Sequence, residues 1–211
     1  MNGKGILIVV SGFSGSGKGT LMKDLLSRYP DTYALSISAT TRKPREGEVD
    51  GREYFFISKD EFEKMIAKGD LIEYAKYVEN YYGTPRKYVE QKLEEGKDVI
   101  LEIEIQGALK VKKAFPDTLL LFVTPPTARE LQSRLVGRGT ETMDVIRSRM
   151  NRACEEAEGM DSYDYLIVND NLDSCVEEMH EIIQGEHRRS FRNQAFMKEI
   201  KEDLERLKGE D

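Results

Sequence analysis

The sequence predicts an α/β protein: a doubly wound parallel sheet core with an inserted strand-rich lobe and a small helical lid. Three observations predict it. Short apolar, β-branched runs alternate with helical patterns along most of the 211 residues. A glycine loop ending in a lysine joins the first such run to the first helical pattern. Residues 36–84 break the alternation with strand-rich text punctuated by Pro and Gly.

The elements follow in chain order. Ile6-Leu7-Ile8-Val9-Val10 reads as a buried parallel strand, because both its faces are apolar. Gly12-Phe13-Ser14-Gly15-Ser16-Gly17-Lys18-Gly19-Thr20 comes next, ahead of a helix over 18–28 with apolar Leu21, Met22, Leu25 and Leu26. Strand, glycine loop, lysine and helix form a P-loop context. Glycines let successive N–H groups turn toward one anion, and the helix adds its positive end. Gly19 occupies the hydroxyl position of that pattern and Thr20 follows one residue later, which favours water-mediated over direct Mg²⁺ ligation. The inserted lobe holds strands near 36–41, 54–57 and 71–77 and a helix over 59–68, with five of the ten tyrosines. Further buried strands are expected at 99–103, 119–123 and 165–168. Helices are expected at 106–115, 127–137, 142–158 and 172–186. Glycines around 137–142, flanked by arginines, suit a mobile lid; Arg147 and Arg152 there read as solvated. From 187 to 211 the chain is highly charged, and Phe191, Ala195, Phe196, Ile200, Leu204 and Leu207 recur at helical spacing. That terminal helix packs either on its own core or on a partner subunit, so a homo-oligomer stays open.

Composition narrows the class. There are 32 basic and 39 acidic residues, a net charge of −7, which argues against a general nucleic-acid binder. Cys154 and Cys175, without CxxC spacing, suggest a reducing compartment and no zinc site. No apolar run reaches membrane-span length and no signal-peptide stretch opens the chain, so a cytoplasmic protein without membrane contact is expected. His180 and His187 lie in a charged helical segment and are expected on a solvated surface, with no ligand role; no metal-ligating residues are assigned.

Phosphoryl transfer asks a protein for positioning and neutralised charge, so cations should converge from several segments. Lys18 comes from the loop, Arg42 and Arg45 from the lobe, and Arg134, Arg138 and Arg149 from the lid. Arginine suits the task because its planar fork holds phosphate oxygens in pairs.

On these strings the chain resembles the bacterial guanylate kinases, P-loop nucleoside monophosphate kinases. The matching text is 12–20, Thr41-Arg42-Lys43-Pro44-Arg45 with Ser38 and Tyr54, Ile72-Glu73, Asn80-Tyr81-Tyr82-Gly83-Thr84, 101–107, Arg138-Gly139-Thr140-Glu141-Thr142 and Val168-Asn169-Asp170. It runs in order over about 4–186. The resemblance implies a core at 4–35, 85–126 and 153–186, a GMP-binding lobe at 36–84, a lid at 127–152, and a helical extension over 187–211. It implies the reaction ATP + GMP → ADP + GDP with Mg²⁺, in purine metabolism. The implied ATP site is Gly12, Phe13, Ser14, Gly15, Ser16, Gly17, Lys18, Gly19, Thr20 and Asn169. Ser38, Arg42, Arg45, Tyr54 and Tyr82 are the implied grip on the GMP phosphate, and Glu73, Thr84 and Glu104 the implied readers of guanine. Lys18, Arg42, Arg134, Arg138 and Arg149 are the implied catalytic cations. Glu104 departs from the aspartate usual in the family, and Phe13 from a common proline.

Chemistry independently supports guanine. Its Watson–Crick edge carries two adjacent donors that one carboxylate accepts together, whereas adenine presents an acceptor there. Two rival readings remain: a non-catalytic guanylate-kinase-like binding module, and a kinase for another nucleoside monophosphate.

Overall fold

The computed structural model describes residues 4–77, 79–137 and 142–208. Its larger sheet has five strands in the order β2-β7-β1-β8-β9. These are β1 (Leu7–Gly12), β2 (Tyr33–Leu35), β7 (Asp98–Glu102), β8 (Leu119–Thr124) and β9 (Tyr165–Val168), every pairing parallel. Each parallel step needs a crossover, and helices supply it: α1 (Lys18–Arg28), α3 (Arg86–Glu94), α4 (Ile105–Ala114), α5 (Ala128–Gly137) and α6 (Met143–Ala157), while α7 (Leu172–Glu186) follows the last strand. A smaller sheet, in the order β4-β3-β6-β5, comprises β3 (Ala39–Thr40), β4 (Phe55–Phe56), β5 (Leu71–Tyr77) and β6 (Asn80–Pro85), with α2 (Lys59–Lys68) packed on it through the fully buried Phe62.

The period-two alternation of a strand divides the core. Ile8 and Val10 of β1 join Leu21, Leu25, Val176 and Met179 on the α1/α7 face. Leu7 and Val9 join Val89, Leu93, Ala108 and Val111 on the α3/α4 face. A third cluster unites Phe13 and Phe122 with Leu131, Leu135 and Ile146 from α5 and α6.

The expected strands and helices of the larger sheet form within a residue or two of their predicted bounds. Three elements lacked a legible signal. β2 is three residues long and its Leu35 is exposed. β6 opens on half-buried tyrosines. α3 buries only Val89 and Leu93 along a mostly charged stretch. The run 101–105 also ends sooner than a strand would: β7 stops at Glu102, and Glu104 is the N-cap of α4.

Both histidines depart from the expected solvated setting. The His180 ring stacks on Tyr29 at 3.8 Å between centroids, and its Nδ1 lies 2.7 Å from the Tyr33 hydroxyl. His187 Nε2 stands 2.9 Å from both carboxylate oxygens of the buried Asp98, which also accepts the Ile6 N–H at 2.8 Å. The two histidines fasten α7 and the residue after it to the sheet.

The extension after α7 forms a 3-10 turn (Ser190–Asn193) and then α8 (Gln194–Lys208). Glu186, also buried, accepts from the Tyr165 hydroxyl and from Arg189, both at 3.2 Å, at the root of that extension. Among the described residues no helix is long and apolar enough to cross a membrane.

Candidate active site

The loop after β1 leaves the sheet beside β8, and it can do so only with glycine. A Cβ on Gly12 would stand 2.1 Å from the Val123 carbonyl oxygen. At the other end Gly17 caps α1 with φ of 91°, and its Cβ would meet Asn169 Nδ2 at 2.4 Å. Between them Phe13 is pinned in the core, edge-on to Phe122 at 5.0 Å. Its side chain is therefore an anchor, while its backbone belongs to the loop. Asn169 is buried too: its amide donates to the Ser16 carbonyl at 2.8 Å and buttresses the loop from below. Gly19 and Thr20 sit exposed in the first turn of α1.

Lys18 Nζ folds back over this loop, donating to the Gly12 carbonyl at 2.7 Å and to that of Phe13 at 3.0 Å. Arg149 of α6 reaches the loop from the opposite side and donates to Ser14 Oγ at 3.1 Å. Gly12, Ser14, Lys18, Arg149, Glu102 and Glu104 share a cavity of about 490 Å³ with Arg152, Glu156 and Tyr77. Arg134 stands beside it, bonded to Glu130 at 2.8 Å and to the Asn169 carbonyl at 2.9 Å. Arg138 lies outside the described residues.

The phosphate-gripping candidates gather on the smaller sheet. Ser38, Tyr54 and Thr84 line one cavity of about 140 Å³, with Glu102 at its boundary with the larger one. Tyr54 and Tyr82 meet edge to face at 5.9 Å, and the Arg42 guanidinium lies over the Tyr54 ring at 5.4 Å. Glu48 holds Arg42 at 2.8 Å and also accepts the Arg45 N–H; the Arg42 charge keeps the Glu48 carboxyl below its ordinary range. Arg45 itself is exposed.

Glu73 of β5 accepts the Thr84 hydroxyl at 2.8 Å, and burial pushes its carboxyl above the usual glutamate value. A Cβ on Gly107 would stand 3.5 Å from Glu73 Oε2, so the carboxylate borders the first turn of α4. Glu104 is placed differently. It is exposed and forms a 2.7 Å ion pair with Arg152 Nη2, on the P-loop side rather than with Ser38, Tyr54 and Thr84. Arg152 also holds Glu156 at 3.2 Å, so it is not the freely solvated residue its position suggested. Arg147 is solvated as expected.

Glu48, Glu102, Arg152 and Glu156 were missed from the sequence. For Glu102 a signal existed: it ends a strand adjacent to the P-loop strand, where ligands of open α/β sheets bind. Among the described residues, no group of three or more His, Cys, Asp or Glu could hold a metal.

A cation-lined P-loop cleft thus adjoins a smaller cleft bordered by Thr84, whose hydroxyl donates to the half-buried Glu73. The guanylate kinase family model matches residues 4–186. The chain belongs to the guanylate kinase family. It is 54% identical over 201 residues to the guanylate kinase of Bacillus anthracis, covering 95% of this chain and 98% of that one. With the guanylate kinase of Bacillus subtilis (strain 168) the identity is 53%, covering 89% and 92%. The crystal structure of guanylate kinase from Anaplasma phagocytophilum superposes with a TM-score of 0.70 at 29% identity, covering 90% of this chain and 89% of that one. Guanylate kinases are ATP:GMP phosphotransferases, so family and cleft point to the same chemistry.

Proposed function

We infer that this chain transfers the γ-phosphoryl group of ATP to GMP, giving ADP and GDP. The ATP phosphates take the loop Gly12–Thr20, accepting from its backbone N–H groups and from Lys18, whose ammonium exchanges the Gly12 and Phe13 carbonyls for phosphate oxygens. GMP takes the cleft of the smaller sheet. Its phosphate is gripped by Ser38, Arg42, Arg45, Tyr54 and Tyr82, with the Arg42 fork passing from Glu48 to the phosphate. Residues 36–84 act as the GMP lobe and 127–152 as the lid, whose Arg134, Arg138 and Arg149 neutralise charge on the transferring group. A GMP phosphate oxygen is already a nucleophile, so no general base is required, and closure of lobe and lid excludes water from the cleft.

The single observation carrying the acceptor assignment is the Glu73–Thr84 pair. A partly desolvated carboxylate with one oxygen bonded to a hydroxyl accepts from guanine N1–H and its 2-amino group. Adenine would set an acceptor against it. Polar mismatch of this kind discriminates by about 10⁴–10⁵. Glu104, from the far side of α4's first turn, borders the base once Arg152 releases an oxygen, and Asn169 supports the loop near the ATP base.

Mg²⁺ arrives with ATP. The donor set fits a cation held mainly by phosphates and water: Glu102 offers one hard oxygen in the P-loop cavity, and Thr20 a hydroxyl in the exposed first turn of α1. Bound there, the ion would neutralise charge on the β- and γ-phosphates. The two free thiols suit a reducing, cytoplasmic setting.

Coupled ADP production with Mg²⁺-ATP tests the reading, comparing GMP with AMP, UMP and dTMP. Strong turnover with GMP alone is the expected result. Turnover with another acceptor in preference to GMP would reassign the base pocket, and none from folded protein would leave a binding role.

A further inference from the structure

Lys18, Arg149 and Arg152 line the larger cavity, and the phosphotransfer reading gives Arg152 nothing to do. Arg149, Arg152 and Glu156 follow one another along α6 at spacings of three and four, so one face of the helix carries all three to the cavity. Arg149 lies against Ser14 of the P-loop. Arg152 instead meets acids on both sides. Its Nη2 pairs with Glu104 at 2.7 Å, and its Nε donates to Glu156 at 3.2 Å. The Glu156 side chain is only 20% exposed and belongs to the same helix. It therefore fixes the guanidinium, and little further ordering is needed to hold Glu104.

Glu104 has a competing use. It is the N-cap of α4 with an extended backbone, but its side chain makes no cap hydrogen bond, so its carboxylate is not committed to its own helix. Within the first turn of α4, Gly107 borders the Glu73 carboxylate. Glu73 accepts guanine N1–H and one N–H of the 2-amino group, which leaves the second 2-amino N–H without an acceptor. Glu104, at the start of that same turn, is the acid placed to take it. Arg152 and the 2-amino group thus compete for one carboxylate.

We propose that Arg152 is a specificity-setting positioning residue, which holds Glu104 on the P-loop side until the guanine 2-amino group displaces it. The proposal rests on the GMP reading above. The pair is exposed, Arg152 at 46% and Glu104 at 69%, so the hold is weak and guanine breaks it readily. Apparent affinity for GMP is lowered by the fraction of molecules in which Glu104 is held. An acceptor without the 2-amino group gains nothing from release of Glu104 and is not affected.

Initial-rate kinetics at saturating Mg²⁺-ATP test this, with GMP and with inosine monophosphate, which keeps N1–H but lacks the 2-amino group. Arg152→Met is expected to lower KM for GMP about two- to fivefold, the range for freeing one exposed ion pair. KM for inosine monophosphate and for ATP stays unchanged, so the preference for GMP widens. General electrostatics give the opposite sign, because deleting a cation beside two polyanions weakens the binding of both. Arg152→Lys, which keeps the charge but has no Nε to meet Glu156, is expected to fall between wild type and Arg152→Met. The gain must run through Glu104: added to Glu104→Gln, Arg152→Met is expected to change nothing. An unchanged or raised KM for GMP in Arg152→Met overturns the proposal. So does an equal fall for both acceptors, or a gain that survives in the Glu104→Gln background; in each case the GMP reading stands. A wild-type chain that prefers another acceptor to GMP removes the guanine reading itself, and this proposal with it.

Discussion

Glu73 carries an electrostatic cost that the proposed guanine contact offsets. Burial raises its pKa above the ordinary glutamate value, although Thr84 donates to it at 2.8 Å and lowers it in part. In the window between its unfolded and folded pKa values the folded chain holds the extra proton. Stability therefore falls as pH rises through that window, and the ionised carboxylate is a net expense to the ligand-free protein at neutral pH. In the proposed function guanine's two donors need that ionised form. Apparent KM for GMP is thus expected to climb on acidification from a pH above the normal carboxylate range, with KM for ATP flat. Glu73→Gln is expected to remove the pH dependence, impair GMP use far more than ATP use, and leave the fold no less stable at neutral pH. Initial-rate kinetics from mildly acidic to neutral pH, with thermal melts alongside, check all three. Equal losses for both nucleotides would place Glu73 outside the base site. Candidate positions of this kind could be named from the sequence because strings such as Thr-Thr-Arg-x-Pro-Arg are specific. Their companions could not. Glu48 becomes visible only once the 41–49 turn folds Arg42 onto it, and Arg152 only once α6 crosses the start of α4.

At the scale of elements, the sheet has a working end and a structural end. P-loop, Glu102 and the larger cavity occupy the C-terminal ends of β1 and β7. Asp98 sits at the opposite end of β7, buried, joining the Ile6 N–H of the β1 entry to His187 beyond α7. Asp98→Ala strands a buried backbone donor, so it is expected to cost about 1–3 kcal/mol of stability. Because the site lies at the other end of the strand, kcat for GMP phosphorylation should hardly change. Denaturant unfolding beside a turnover assay decides; a large fall in kcat with unchanged stability would contradict this division of labour. Legibility followed burial. β1, β7 and β8 are buried on both faces and announce themselves as apolar runs. β2, β6 and α3 bury too few side chains to leave a pattern, and tertiary pairing rather than local preference makes them. The histidines escaped for a related reason, since a ring that stacks on Tyr29 or meets Asp98 has no periodic signature.

The whole molecule is acidic, with a net charge of −7, yet Lys18, Arg149 and Arg152 line one cleft, with Arg134 and Arg42 on the elements around it. These cations contact the protein's own acceptors: Lys18 loop carbonyls, Arg149 Ser14, Arg42 Glu48 and Arg134 Glu130. The groups come from both sheets and from α5 and α6, so one nucleotide engages only part of the set. In the proposed function ATP draws on the loop and the lid side, and GMP on the smaller sheet. Once the first nucleotide has drawn its side inward, the second meets groups already gathered, and less ordering remains to oppose its binding. The two ligands should therefore bind with positive coupling. Thermal melts with GMP, with a non-hydrolysable ATP analogue plus Mg²⁺, and with both together measure it through ligand linkage. The pair is expected to raise Tm by more than the two separate shifts combined. Strictly additive shifts would mean that the two clefts fill independently, with lobe and lid closing on separate accounts of each nucleotide rather than around one shared phosphoryl group.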